Sequence, residues 1–412
     1  MNLLTSKTSS FPKAEKKEWE RKASESLKGK PTQNLNTDTL EGITIHPVYS
    51  WENREAIRES PGEAPYTRGI HKDGYKGRPW LISQQIHGHS AEELLKNARL
   101  AAERGQNTLS VSSSVLASLE PNDVQAVFQY SAKERIPLFI DAKGGQKALL
   151  CQLKKMAVDG TLEGVMAEDP ITEGVMRGKG IKERKDFFEA WASAAVSAHE
   201  AAPGLRTILV KSHAYHNAGA HAAEELGIAM ALGAEYLHQA GEAGYRTELI
   251  AEKMVFSFGI DSDFFMNIAK LRAARRLWSL MGNGYGSREE SFKMYIHSET
   301  SAYTATLFDP YVNLLRAANQ AFAAVVGGAQ SITVLPFDCA SNKTSAFSER
   351  IARNIQLILK EETLLDKVVD PAGGSYYIEA LTDELAEKAW AIFLEIEKQG
   401  GVLEALQSGW LQ

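Results

Sequence analysis

The stretch that decides the fold runs from Tyr295 to Glu379. It reads, in order, YIHSETS (295–301), DPY (309–311), GGAQSITVLP (327–336), SERIARNIQLIL (348–359) and VVDPAGGSYYIE (368–379). Ser291–His297 alternates and carries Met294 and Ile296, a period-2 strand signal that ends in the polar run His297–Ser301. Asp309-Pro310 then opens a helix, with Asp as cap and Pro at the first helical position. Gly327-Gly328 stops that helix, and Ile332-Thr333-Val334 makes the next short strand. A strand–helix–strand–helix succession is the grammar of a parallel sheet.

Upstream, the same alternation repeats. Strands are expected at Pro79–Ile86, Thr108–Val111, Ile136–Ile140, Leu162–Met166, Thr207–Val210 and Lys253–Phe258, before Phe292–His297 and Ser331–Val334. Helices fall between them: Ala91–Glu103 behind the capping-box signal Ser90-Ala91-Glu92-Glu93, then Pro121–Lys133, Lys147–Ala157, Lys185–His199 and Ala220–Leu232. Eight strands alternating with helices over roughly 260 residues is the rhythm of an α/β (β/α)8 TIM barrel. A doubly wound open sheet has the same alternation, and strand closure is not written in a sequence.

Residues 1–65 differ in kind. Phe11–Lys30 reads as a charged helix anchored by Trp19 and Leu27, Pro31 breaks it, and an extended polar arm follows to Pro65. Such an arm packs on its own domain or on a neighbouring subunit, and the second is expected here. Residues 66–412 form the barrel with its C-terminal helices.

Bulk properties bound the function. The chain has 412 residues, 44% hydrophobic and 24% charged, with a net charge of −6. That is a globular protein with a sizeable core, and its acidity argues against nucleic acid or an anionic membrane as a partner. Its two cysteines, Cys151 and Cys339, are far apart and outside any CxxC, so neither a disulfide framework nor a zinc site is expected. No apolar run approaches the roughly 20 residues of a membrane span, and MNLLTSKTSS lacks an apolar signal core, so a cytoplasmic location is expected.

The spaced blocks HSETS, DPY, GGAQS, ARNIQLIL and DPAGGSYY resemble, in order, the substrate-barrel region of the adenosylcobalamin-dependent acyl-CoA mutases, the methylmalonyl-CoA mutase family. Tyr66-Thr67-Arg68-Gly69, Arg78-Pro79-Trp80 and FFMNIAKLRAARRLW (264–278) resemble it as well. The resemblance implies a TIM barrel, acyl-CoA as ligand and adenosylcobalamin in the complete enzyme. It also implies that the N-terminal arm wraps a partner chain. In that family a separate domain with an Asp-x-His-x-x-Gly motif supplies the lower cobalt ligand. None of the ten histidines here lies in such a motif, so this chain alone is expected to hold no cobalamin tightly.

The strand C-termini are where barrel chemistry sits. His213, His216 and His221 could suggest a metal, but their spacings of 3 and 5 lack a supporting carboxylate pattern. The resemblance instead makes His216 the catalytic candidate, a donor to the substrate thioester carbonyl of the kind that stabilises a developing oxyanion. A satisfied structural histidine is the competing reading. Arg78, Gln85, Tyr295 and Ser298 are the substrate-facing candidates. Gln85 stands where the active family has a tyrosine and Ser83 where it has an arginine. Tyr295 replaces an arginine, and the two are not interchangeable for anion recognition. The loop Glu168–Gly180 is shortened, and His71-Lys72-Asp73-Gly74 replaces an aromatic and threonine segment.

Scaffold blocks kept and chemistry blocks altered resemble the small subunit of heterodimeric mutases, whose partner is a larger catalytic subunit. A self-dimer is the alternative to that heterodimer; an active acyl-CoA mutase subunit that borrows a separate cobalamin-binding chain, and a barrel for another small phosphorylated ligand, are the alternative functions.

Overall fold

A computed structural model describes residues 15–50, 59–155, 162–178, 184–341 and 344–411. Eight parallel strand positions close into a barrel. They are β1 (two pieces, Leu81–Ile82 and Gln85–Ile86), β2 (Leu109–Val111), β3 (Leu138–Asp141), β4 (Gly164–Glu168), β5 (Leu205–Val210), β6 (Met254–Ile260), β7 (Ile296–Thr300) and β8 (Ser331–Thr333). Closure runs through the divided β1. Its first piece pairs with β8 (Ile82 with Ile332) and its second with β2 (Gln85 with Ser110).

Side chains explain the division. The Asn107 side chain accepts from the Ile82 N–H at 2.7 Å, Gln84 donates to the Val334 carbonyl, and Gln106 donates to the Gln84 carbonyl. Polar side chains thus satisfy backbone groups that a continuous ladder would otherwise use. The expected single strand Pro79–Ile86 is in fact two short pieces about this junction.

Two other expectations shift. Asp309-Pro310 forms a turn rather than a cap: Asp309 and Pro310 carbonyls accept from Val312 and Asn313, and the helix Val312–Val326 begins after Tyr311. Asn313 fixes that start by bonding the Thr306 and Phe337 carbonyls. The strand expected from Ser291 begins at Ile296, because Glu289–Phe292 is a 3-10 turn whose Phe292 ring packs 5.0 Å from Trp278 in the outer core.

Helices cover the barrel. The Ser90 hydroxyl caps Ala91–Glu103 as its sequence indicates, but Glu93 reaches back to the N–H of His89, so the box is displaced by one residue. Ala222–Glu242 and Phe264–Gly284 are buried along most of their length, since Tyr376–Lys398 lies over both as a second layer. Gly227 permits that approach: a Cβ there would come within 2.7 Å of the Ile392 side chain and 3.0 Å of the Ala389 carbonyl. Three blocks far apart in sequence meet beside this layer. Arg272 is ion-paired with Asp370 and, at 2.8 Å, with Glu379, and Arg68 reaches Asp370 at 2.8 Å.

The arm divides in two. Within it, Ile43 is buried in a cluster with Ala222, Met266, Leu381 and Leu385 of this same chain, and Tyr49 packs 5.0 Å from Tyr377. The helix Lys16–Ser26, by contrast, buries none of its residues. Residues 1–14 and 51–58 lie outside the described residues, as do the ends of two expected segments, Ala157 and Lys179-Gly180. Among the described residues no helix is long and apolar enough to cross a membrane, and Cys151 and Cys339 are both free.

Candidate functional site at the barrel mouth

The barrel lumen is divided. Val165, Ala167, Leu209 and Val255 form a small apolar cluster joined by Phe139 and Tyr295. Arg206 lies over the Tyr295 ring, and the Phe139 ring lies 4.3 Å from that of His297. One cavity opens on each side of this plug.

The larger, about 650 Å³, is at the strand N-termini and is lined by Arg68, His71, Arg78, Arg206, Arg275 and Tyr295 among others. It is cationic. Arg275 is fully enclosed and donates to the Tyr66, Thr67 and Gly327 carbonyls, not to a carboxylate. Arg206 likewise donates to the Glu252 and Met254 carbonyls. Burial, then the charges of Arg78, Lys293 and Arg206, lower His71 to about 4.

The smaller cavity, about 170 Å³, lies at the strand C-termini. Ser83, Gln85, Ser110, Asp141, Lys211, His213, Ser257, His297, Glu299 and Thr333 are among its lining residues. A chain of hydrogen bonds crosses its floor. His213 Nδ1 meets Ser257 Oγ at 2.8 Å, Ser257 Oγ meets His297 Nδ1 at 2.8 Å, and His297 Nε2 meets Thr333 Oγ1 at 3.0 Å. Burial holds His297 well below the ordinary imidazole value, so it is neutral. On the wall, Lys211 Nζ contacts Asp141 at 2.5 Å and Glu173 at 2.6 Å. Burial works against its charge, but those carboxylates hold its pKa above the usual lysine value. Behind it, Asp169 accepts from Tyr236, Thr172 and the Lys211 N–H, and burial nevertheless pushes its pKa up.

The five candidates named from sequence are scattered. Gln85 lines the mouth cavity, and its Nε2 is buried without a partner among the described residues. Arg78 and Tyr295 line the cavity at the opposite end of the barrel. Ser298 is fully buried between His297 and Glu299, on the other face of β7 from those two cavity residues. His216 is buried in a short helix after β5, bonded to Ser301 Oγ at 2.8 Å and packed against Gly259, and it lines neither cavity. Its pKa is lowered, chiefly by burial. The three histidines once grouped as a metal candidate part company, for His221 caps Ala222–Glu242. Among the described residues no group of His, Cys, Asp and Glu is placed to hold a metal.

The residues that do meet at the mouth come from strands all round the barrel, among them Gln85 of β1, Ser110 of β2, Asp141 of β3, Ser257 of β6, His297 of β7 and Thr333 of β8. Ser257 and His297 are 40 positions apart, and only the strand period, which puts Tyr295, His297 and Glu299 on one face, signals their direction.

The family model for methylmalonyl-CoA mutase matches residues 38–128 and 147–412. The chain belongs to the methylmalonyl-CoA mutase family. It is 35% identical to a methylmalonyl-CoA mutase small subunit of Porphyromonas gingivalis, over 98% of this chain and 66% of that protein. It is 34% identical to a methylmalonyl-CoA mutase small subunit of Streptomyces virginiae, over 97% of this chain and 66% of that one. Against a methylmalonyl-CoA mutase of Escherichia coli the identity is 33%, over 95% of this chain and 59% of the relative. The chain therefore spans slightly under two thirds of the small subunits it matches. Two of the mutase-family blocks quoted from the sequence are scaffold: GGAQS enters β8, and DPAGGSYY supplies Asp370, which together with Glu379 just beyond it holds Arg272.

Proposed function

We propose that this chain is the barrel part of a small, non-catalytic subunit of an adenosylcobalamin-dependent methylmalonyl-CoA mutase. A larger subunit would then perform the radical interconversion of methylmalonyl-CoA and succinyl-CoA. The observation that carries this reading is the divided lumen. The chemistry end of the barrel offers about 170 Å³, below the roughly 300–1,000 Å³ of ordinary small-molecule sites. It is walled off by Phe139, Leu209 and Tyr295 from the larger cavity. An acyl-CoA is far too large for the mouth cavity.

The residues at the mouth do not fit the cofactor's axial position either. His213 Nδ1 and both nitrogens of His297 are held in the Ser257–Thr333 chain, and His216 is closed in on Ser301. His213 Nε2, the nitrogen outside that chain, stands 3.9 Å from the Glu299 carboxylate. No step through cobalamin is assigned to this chain.

The test is reconstitution. The larger subunit, assayed for mutase turnover, should need this chain for full activity yet be indifferent to Gln85→Ala within it. A turnover loss of tenfold or more with assembly intact would assign chemistry to this chain instead.

A second reading concerns binding alone. The cationic cavity around Arg78, Arg206 and Arg275 favours an anionic, phosphorylated ligand entering from the N-terminal end of the barrel. Calorimetric titration with CoA, lost in Arg78→Ala, would support it.

A further inference from the structure

The hydrogen bonds on the floor of the mouth cavity run in one direction, and that direction fixes what the cavity can bind. Thr333 Oγ1 donates its single proton to the Ser83 carbonyl at 2.9 Å. It must therefore accept from His297 Nε2, which makes the neutral His297 an acceptor at Nδ1. Ser257 spends its one hydroxyl proton on that Nδ1, so His213 must donate to Ser257 through its own Nδ1. In the neutral imidazole this leaves His213 Nε2 as the acceptor, 3.9 Å from Glu299 Oε1.

Two further acceptors face the same space. Glu299 makes no closer contact among the described residues than this one, and Asp141 Oδ1 is buried without a partner among them. Donors are fewer. Lys211 is already shared by Asp141 and Glu173, and Lys143 stands at the exposed rim. Ser83 is buried to 1%, and its hydroxyl is unpartnered among the described residues, as is Gln85 Nε2. Of the two carboxylates that line the cavity, Asp141 is paired with Lys211, while Glu299 has no Lys or Arg partner among the described residues.

We propose that the mouth cavity binds a small aliphatic ammonium ion carrying a hydroxyl group. Its N–H donors go to His213 Nε2 and the Glu299 carboxylate, and its hydroxyl goes to Asp141 Oδ1, Ser83 and Gln85. The size agrees. A dry cavity of about 150 Å³ holds benzene, so the 170 Å³ here suits a molecule of about four to six non-hydrogen atoms. Carboxylates and phosphates are disfavoured by the Glu299 carboxylate, which has no Lys or Arg partner among the described residues. The site stands whether or not the chain turns over acyl-CoA, because mutase turnover and this binding are read in separate experiments.

Ethanolamine, ethylene glycol and glycolate, titrated into the chain by calorimetry at neutral pH, form a matched series of cation, neutral molecule and anion. Ethanolamine is expected to bind saturably and glycolate not at all, with ethylene glycol weaker by about tenfold or more. Glu299→Gln keeps the side-chain shape and should weaken ethanolamine by about tenfold. His213→Gln, checked for an unchanged thermal transition, should do the same. Glycolate binding as tightly as ethanolamine, no saturable binding by any of the three, or full ethanolamine affinity in Glu299→Gln would each overturn the proposal.

Discussion

The guanidinium carbon of Arg206 lies 4.8 Å from the centroid of the Tyr295 ring, and this contact stops the barrel lumen. The cation is held from behind by the Glu252 and Met254 carbonyls, so it is aimed at the ring by backbone. Tyr295 in turn packs with Val165, Leu209 and Val255. At this position the mutase family's arginine is expected from the resemblance. Here the cation comes from β5 and the aromatic from just before β7.

Tyr295→Ala should therefore cost stability and connect the two cavities. Large-to-small substitution of an aromatic costs about 3–5 kcal/mol when fully buried. Tyr295 keeps an edge on the lower cavity, so a loss of about 2–4 kcal/mol is expected by chemical denaturation. A loss below about 1 kcal/mol would show that the ring is not holding the plug.

The buried ion network around Arg272 makes a second expectation. Arg272 and Glu379 are each 1% exposed in the side chain and Asp370 is 4% exposed. Removing one partner strands the others in a low-dielectric interior, at a typical cost of 3–5 kcal/mol. Asp370→Asn should lower stability by about that much, while Arg276→Ala, whose pair with Asp383 is more than a third exposed, should cost under about 1 kcal/mol. Equal effects from the two would contradict the burial argument.

How much of this was legible beforehand depends on range. The barrel was readable because strand and helix periods are local, and all eight strand positions lie on or overlapping the segments they predict. The break in β1 was not, because Asn107 and Gln106 reach it from the next strand–helix unit. The site was less legible still. His216 was marked out by its family-like neighbours, but the short helix His213–Asn217 turns it toward Ser301 and leaves His213 facing the cavity. Nothing local distinguishes two histidines three residues apart on one helical turn. Gln85 lines the mouth cavity because strand ends project there.

Acid should destabilise the lower cavity through His71. Its folded pKa, lowered to about 4, lies below the unfolded value of about 6.5. Between those values the unfolded chain binds more protons, so stability falls as pH drops from about 6.5 and levels off below about 4. The side chain is partly solvated, so the swing is at most about 1–2 kcal/mol. His71→Gln should flatten the pH–stability curve in that window, and an unchanged acid limb would sink the assignment.

The two parts of the arm should separate experimentally. Ile43 is buried in its own chain's core, so Ile43→Ala should cost about 2–5 kcal/mol in the isolated chain. Deleting residues 15–30 removes a helix that buries none of its side chains here and should leave the thermal transition in place. If that helix docks through Trp19 and Leu27 on a partner, the deletion should instead weaken assembly, each anchor contributing roughly 1.5–3 kcal/mol. Sedimentation with and without the larger subunit separates the two outcomes. Unaltered association would leave the helix without a partner role.

His216→Ala is the sharpest test of whether this chain does chemistry. The imidazole is 3% exposed, its Nε2 is bonded to Ser301, and its ring fills the space over Gly259, where even a Cβ would collide with it. Those contacts predict a structural histidine. Its removal leaves a cavity and an unpaired Ser301 hydroxyl, and should cost about 1–3 kcal/mol of stability. A substrate-facing role predicts a different pattern, since losing a donor to a developing oxyanion typically lowers kcat by 10²–10³, about 2.7–4 kcal/mol of barrel chemistry. The assembled enzyme, assayed at a temperature where the variant is still folded, is expected to keep its turnover within about threefold while the variant's Tm falls. A kcat loss of tenfold or more with assembly and melting intact would place His216 at the substrate and make this chain an active subunit.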